Sequence, residues 1–219
     1  MKDLSDRPGL HICCSLSPAH LRTIRPRLWL QAPIASGFFS PCFRPATLVT
    51  ALWRLFGADG TMNPRIQTFD FNERPFLAIW EVTQACDLAC VHCRAAAQPL
   101  RHPMELTTDE GKDLIDQIAA MNVPVFVLTG GDPIKRPDLF ELIAHACKVR
   151  VRVSLTPSAT PLLTREIVLR LKDAGLARLA VSLDGASAAT HDAFRGMTGS
   201  FARTHSAIRW ANEVGLSVR

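Results

Sequence analysis

From residue 75 onward the chain repeats one pattern, a short apolar run followed by a longer segment with apolar residues every three or four positions. Leu77–Thr83 and residues 125–129, 151–155 and 178–183 are the short runs, each of strand length. Between them lie helical signatures. Thr107 and Glu110 form a capping box that opens a helix with Leu114, Ile115, Ile118 and Ala119 on one face. Pro137 suits the first turn of a second helix, with Leu139, Phe140, Ile143 and Cys147 turned inward. Thr164 caps a third helix through Ile167, Val168 and Leu171, and Gly175 ends it. A fourth helix runs from Ser200 to Val214 and stops at Gly215, after which residues 216–219 begin another strand. Short strands alternating with helices of this length build βα units around a parallel sheet. Four complete units and the start of a fifth strand fit an incomplete barrel or a curved open α/β sheet. A closed eight-fold barrel takes roughly 250 residues, and about 145 are available here.

Residues 1–61 read differently. They hold six of the 15 prolines, which interrupt helices and sheet ladders alike. Only residues 47–56 suggest a short helix. This segment is expected to be a poorly ordered extension, with the functional chain, residues 62–219, opening near Met62. It also carries most of the charge. Seven basic and three acidic residues give +4, against 18 and 17, or +1, in residues 62–219. The basic balance therefore does not mark a basic face on the main domain, and a nucleic-acid partner is not expected. No uncharged apolar run approaches the ~18–20 residues of a spanning helix. Residues 28–39 are broken by Gln31 and Pro33, and residues 46–56 by Arg54. Asp3, Asp6 and Pro8 oppose a secretory signal. A cytoplasmic protein without a membrane partner is expected.

Seven cysteines, an odd number, cannot make an all-paired disulfide framework. Three of them, Cys86, Cys90 and Cys93, fall within eight residues directly after the first strand. This C-x3-C-x2-C run can supply three thiolates to a [4Fe–4S] cluster, leaving one iron open. Zinc is the alternative, but a closed structural site needs a fourth ligand. His92 is adjacent to Cys93, an awkward position for joint tetrahedral ligation. Cys147 lies on an apolar helix face and is expected to pack in the core. Cys13, Cys14 and Cys42 are scattered and are read as bystanders.

The cysteine run resembles the hallmark of the radical S-adenosylmethionine (radical SAM) superfamily, C-x3-C-x-φ-C after the first strand of a partial (β/α)6 barrel. Cys86, Cys90 and Cys93 match the ligands, and His92 takes the φ position that packs near the adenine. Thr129-Gly130-Gly131-Asp132-Pro133 is similar to the family's GGEP segment, in which backbone groups hold the methionine amino group of SAM. Asp132 stands where the family has Glu and is one methylene shorter. Thr156 ends the third strand, where the family often places a polar SAM contact. Ser182-Leu183-Asp184-Gly185 resembles the S-x-D-G segment, making Ser182 and Asp184 candidates for SAM or substrate contacts. Arg195, in His191-Asp192-Ala193-Phe194-Arg195-Gly196, is placed to pair with the methionine carboxylate. All of these segments follow strands at their C-terminal ends, the face that carries active sites in parallel α/β folds.

The resemblance implies a radical SAM-type barrel truncated after about four βα units. It implies two cofactors, a [4Fe–4S] cluster and S-adenosylmethionine, which is cleaved reductively to methionine and a 5′-deoxyadenosyl radical that abstracts a substrate hydrogen. It further implies a reductase or a ferredoxin- or flavodoxin-type electron donor. The wording of the Gly130–Phe140 and Ser182–Gly196 segments is similar to radical SAM proteins that carry a C-terminal SPASM domain. Those act on peptides or haem-type precursors, so a peptide or small-molecule substrate is expected. The cysteines of that domain, and strands five and six, do not follow in this sequence. A non-catalytic Fe–S or zinc-binding protein, or an inactive fragment, is the alternative.

Overall fold

The computed structural model describes the strand Leu10–His11 and residues 69–219. The expected helix at residues 47–56, the boundary at Met62 and Cys13, Cys14 and Cys42 lie outside the described residues. The elements in chain order are β1 (Leu10–His11), β2 (Leu77–Thr83), α1 (Thr108–Ala120), β3 (Val125–Gly130) and a 3-10 turn (Pro133–Lys135). They continue with α2 (Leu139–Lys148), β4 (Val153–Leu155), α3 (Arg165–Asp173), β5 (Arg178–Leu179), α4 (Ala188–Arg195) and α5 (Ser200–Glu213). The sheet order is β1-β2-β3-β4-β5. β2 to β5 run parallel, and β1 pairs with β2 antiparallel, Leu10 opposite Trp80.

Alternation along β2 sends Ala78, Trp80 and Val82 into the main hydrophobic cluster. There they meet Leu114, Ile115 and Ile118 of α1 and Leu142 and Ile143 of α2, all nearly inaccessible to water. A Cβ on Gly111 would stand 2.7 Å from the Trp80 ring. Glycine is what lets α1 lie this close to the strand. The expected capping box is present, Thr107 accepting from the Glu110 N–H while Glu110 accepts from the Thr107 N–H. Thr164 likewise caps α3 through the Ile167 N–H.

Several boundaries differ from the sequence reading. β4 starts at Val153, not at residue 151, because Val151 N–H closes back on Ala146 O and Arg150 turns through a positive φ of 63°. β5 is two residues long, although Ala180 N–H still reaches Leu155 O. Val218 bridges Leu179 in parallel, which is the expected start of the next strand. Pro137 precedes the N-cap of α2, Asp138, and the unforeseen 3-10 turn takes up the chain between. The inward stripe of α2 is Leu139, Leu142, Ile143 and Ala146. Cys147 is exposed, contrary to expectation; it is one step past that stripe and its sulfur lies over Gly175. α4, capped by Ser187 and ended by Gly196 at φ 65°, was not foreseen. Among the described residues no helix is long and apolar enough to cross a membrane.

Candidate functional site

β2 ends at Thr83, and the chain from there to Glu105 is held by one buried carboxylate. Glu105 accepts from Thr83 Oγ1 at 2.8 Å, Gln84 N at 2.9 Å, His102 N at 3.1 Å and Arg101 Nε at 2.7 Å. Burial would push its carboxyl up, but the donations from Arg101, Gln84, Thr83 and His102 outweigh burial and hold it below the ordinary range. The loop closes on itself through Cys86 N to Gln98 O at 2.8 Å and Gln98 N to Gln84 O at 2.9 Å. Cys86, Cys90 and Cys93 are carried on the loop so formed.

The end of β3 is pressed against the start of this loop. Gly131 N donates to Thr83 O at 2.8 Å and Asp132 N to Ala85 O at 2.6 Å. A Cβ on Gly131 would meet Ala85 O at 2.4 Å, and one on Gly130, at φ +129°, would meet Thr83 O at 2.3 Å. The glycine pair is therefore demanded by two backbones in contact.

Cys86, Cys90, Cys93, Gly130, Gly131 and Arg195 all line one cavity of ≈ 210 Å³ at the C-terminal ends of the strands. His92 lines it too and stacks on Phe194, with ring centroids 4.4 Å apart. The Cys86 thiol is pushed up by burial, an effect opposed by its hydrogen bonds to Ser158 and the Leu88 N–H. Glu81, buried in the middle of β2, faces the cavity and pairs with Arg94 at 2.9 Å.

The other expected residues stand apart from this wall. Thr156 N–H continues the sheet onto Leu128 O. Ser182 is half-buried and does not line the cavity. Asp184 reaches the cavity only through Arg195, its carboxylate 2.8 Å from the guanidinium Nε. Asp132 is fully buried and turned inward, accepting from Thr160 Oγ1 at 2.7 Å and Ile134 N at 3.2 Å. Burial pushes its carboxyl up to about 6. Sequence reasoning missed Ser158, which lies against Cys86 Sγ at 3.4 Å and donates to Gly131 O at 2.8 Å. Its position shortly after β4 was the available signal. It also missed Glu81, a charge in the middle of an apolar strand.

The donor set fits a cluster. The three thiols are unpaired and open on one cavity, and thiolate is the ligand iron–sulfur clusters take. Among the described residues no three His, Cys, Asp or Glu side chains form a site for a single metal ion.

Residues 80–219 match the family model described as the Radical SAM superfamily. The AdoMet-dependent heme synthase of Methanosarcina barkeri is 49% identical over 134 residues, 61% of this chain and 38% of that protein. The mycofactocin maturase MftC of Mycobacterium tuberculosis is 40% identical over 129 residues, 59% of this chain and 32% of that protein. The chain thus spans less than two fifths of the length of these relatives. The crystal structure of Streptococcus suis SuiB bound to S-adenosylmethionine superposes with a TM-score of 0.59, covering 67% of this chain and 33% of SuiB. At 18% identity that likeness is one of fold, the partial radical SAM barrel. With its cysteine loop at the end of the first parallel strand and the family match over residues 80–219, the chain belongs to the radical SAM superfamily.

Proposed function

We propose that this chain is the core of a radical SAM enzyme acting on a haem-type precursor or a peptide. The observation that carries the reading is the single cavity shared by three thiols, the Gly130–Gly131 backbone and Arg195. Cys86, Cys90 and Cys93 would hold a [4Fe–4S] cluster. When bound, the cluster and S-adenosylmethionine supply an electron and a 5′-deoxyadenosyl radical that takes a hydrogen atom from the substrate.

The residues of this chain bind and orient. Gly130 and Gly131 offer bare backbone for the methionine end of SAM, and Arg195 offers a cation for its carboxylate. His92, stacked on Phe194, would flank the adenine. Asp184 would act on this site through Arg195, while Thr156 and Ser182 lie outside the cavity lining and carry no role in this reading. Asp132 holds the Gly-Gly turn in place from within, through Thr160 and Ile134. The 49% identity to the AdoMet-dependent heme synthase of Methanosarcina barkeri, against 40% to the mycofactocin maturase MftC, supports the haem-type substrate. The electron donor would be a ferredoxin- or flavodoxin-type protein or its reductase.

The test is anaerobic reconstitution of the full chain with iron and sulfide, addition of dithionite and SAM, and assay of 5′-deoxyadenosine. Formation of 5′-deoxyadenosine that is lost in Cys90→Ala supports the reading. A chain that takes up zinc but no iron–sulfur cluster overturns it.

A further inference from the structure

The cysteine loop is clamped by the C-terminal end of α4. Val91 N–H donates to Phe194 O at 3.0 Å, and His92 stacks on Phe194. A Cβ on Gly196 would come within 2.6 Å of Ala89 O, so the two backbones touch there as well. In the middle of this contact Arg195 Nη1 donates to Cys90 Sγ at 3.5 Å. The Arg195 side chain is 12% exposed, and its guanidinium is ion-paired with Asp184, Nε to Oδ2 at 2.8 Å. Asp184 is itself fixed. Its backbone N–H donates to Nδ1 of the buried His191, whose Nε2 lies 3.3 Å from Ser200 Oγ. A backbone N–H can only donate, so Nδ1 is the unprotonated nitrogen and His191 is held in one tautomer.

We propose that Arg195 is a positioning residue that sets the reduction potential of the cluster through the Cys90 sulfur, and that Asp184 holds it at that sulfur. The inference rests on the functional reading above, since it requires Cys90 to be an iron ligand. Its physical basis is general. Hydrogen bonds to ligating sulfurs, local charge and exposure tune the potentials of iron–sulfur centres. Adding an electron makes the centre more negative, so a donor and a positive charge at one sulfur favour the reduced state. The half-buried setting strengthens both effects relative to open water. Only guanidinium can meet Cys90 with one nitrogen and Asp184 with another; a lysine has a single ammonium to offer.

The experiment is a dithionite titration of the reconstituted full chain, followed by EPR in the absence of SAM, so that no carboxylate competes for the guanidinium. Iron content is measured in parallel. Arg195→Gln is expected to load as much iron as the wild type and to be harder to reduce. A tenfold loss in the reduction equilibrium would appear as a midpoint about 59 mV more negative. Arg195→Lys is expected to fall between the two. An unchanged midpoint in Arg195→Gln at full iron content overturns the proposal. If Arg195→Gln takes up no cluster, Arg195→Lys decides: full iron with a lowered midpoint supports the proposal, and full iron with an unchanged midpoint overturns it. Failure of both variants to load overturns it in favour of a purely structural role. A wild-type chain that forms no cluster overturns the functional reading itself, an outcome distinct from all of these.

Discussion

The imidazole of His92 and the ring of Phe194 lie face to face, with centroids 4.4 Å apart and planes inclined by only 15°. Among the described residues this is the one aromatic contact between the cysteine loop and α4, and a stacked pair of this kind contributes about 0.5–1.5 kcal/mol beyond its buried area. Phe194→Ala should lower stability to urea by about 1 kcal/mol or somewhat more. It should also speed the loss of iron to a chelator from the reconstituted protein, because the loop loses one of its holds on α4. Phe194→Tyr keeps the ring and should behave as wild type in both measurements. Equal iron retention in Phe194→Ala and wild type would count against a role in steadying the loop.

Gly131 presents a sharper constraint. The atoms that a Cβ would meet, Ala85 O at 2.4 Å and Gln84 O at 2.7 Å, belong to backbone and cannot rotate away. Gly131→Ala must therefore part β3 from the cysteine loop. Overpacking costs about 1–3 kcal/mol, and this case should fall at or above the upper end. Denaturant unfolding and iron content after reconstitution should both fall.

Much of this arrangement is legible in the sequence, and the physical reason is periodicity. Strands and helices of a βα fold bury one face each, so Ala78, Trp80 and Val82, or Leu114, Ile115 and Ile118, announce their elements by spacing alone. The capping box at Thr107 and the Gly-Gly turn are local chemistry and equally readable. What escaped has no periodic apolar signal. α4 buries His191 in place of an apolar stripe, and only Ser187 at one end and Gly196 at the other mark it. Ser158 matters because it meets Cys86, 72 residues away in sequence. Asp132 turns inward because Thr160 waits there, and no local pattern in the Gly-Gly-Asp-Pro segment shows that. Cys147 sits at the edge of a helix stripe, where a spacing argument is one residue from being wrong.

Arg136 is the largest fully buried side chain of the described residues, and its burial is explained by its partners. Nη1 donates to Val82 O at 2.9 Å, Nη2 donates to Leu106 O at 2.9 Å and to Asp138 Oδ2 at 2.8 Å, and the guanidinium lies over the Trp80 ring. One cation thus joins the end of β2, the approach to α1 and the start of α2. Arg136→Met leaves the Asp138 carboxylate without its cation and two carbonyls without donors. Removing one partner of a buried pair typically costs about 3–5 kcal/mol, and that loss is expected in urea unfolding. Arg136→Lys should recover little of it, since one ammonium cannot span three acceptors on three elements. A Lys variant as stable as wild type would show that charge alone suffices.

Asp132 should give the cluster-free chain a pH dependence of its own. Burial pushes its carboxyl up to about 6 from 3.8. Between those values the folded chain holds a proton that the unfolded chain has released. Its contribution to stability is therefore full below about pH 4 and is lost as pH rises through about 6. A shift of roughly two pH units corresponds to something on the order of 3 kcal/mol. Asp132→Asn keeps the shape, and its amide can still engage Thr160 and Ile134 while carrying no charge. Glu105 and Asp138, whose carboxyls are held below the ordinary range, titrate in both proteins, so the informative quantity is the stability difference between the two. Asp132→Asn should gain on wild type as pH is raised from about 4 to about 7, with most of the change between about 4 and 6. Urea midpoints taken across that range measure it. A difference that does not vary with pH would mean that Asp132 is ionised throughout, compensated by Thr160 and the Ile134 N–H more fully than burial penalises it.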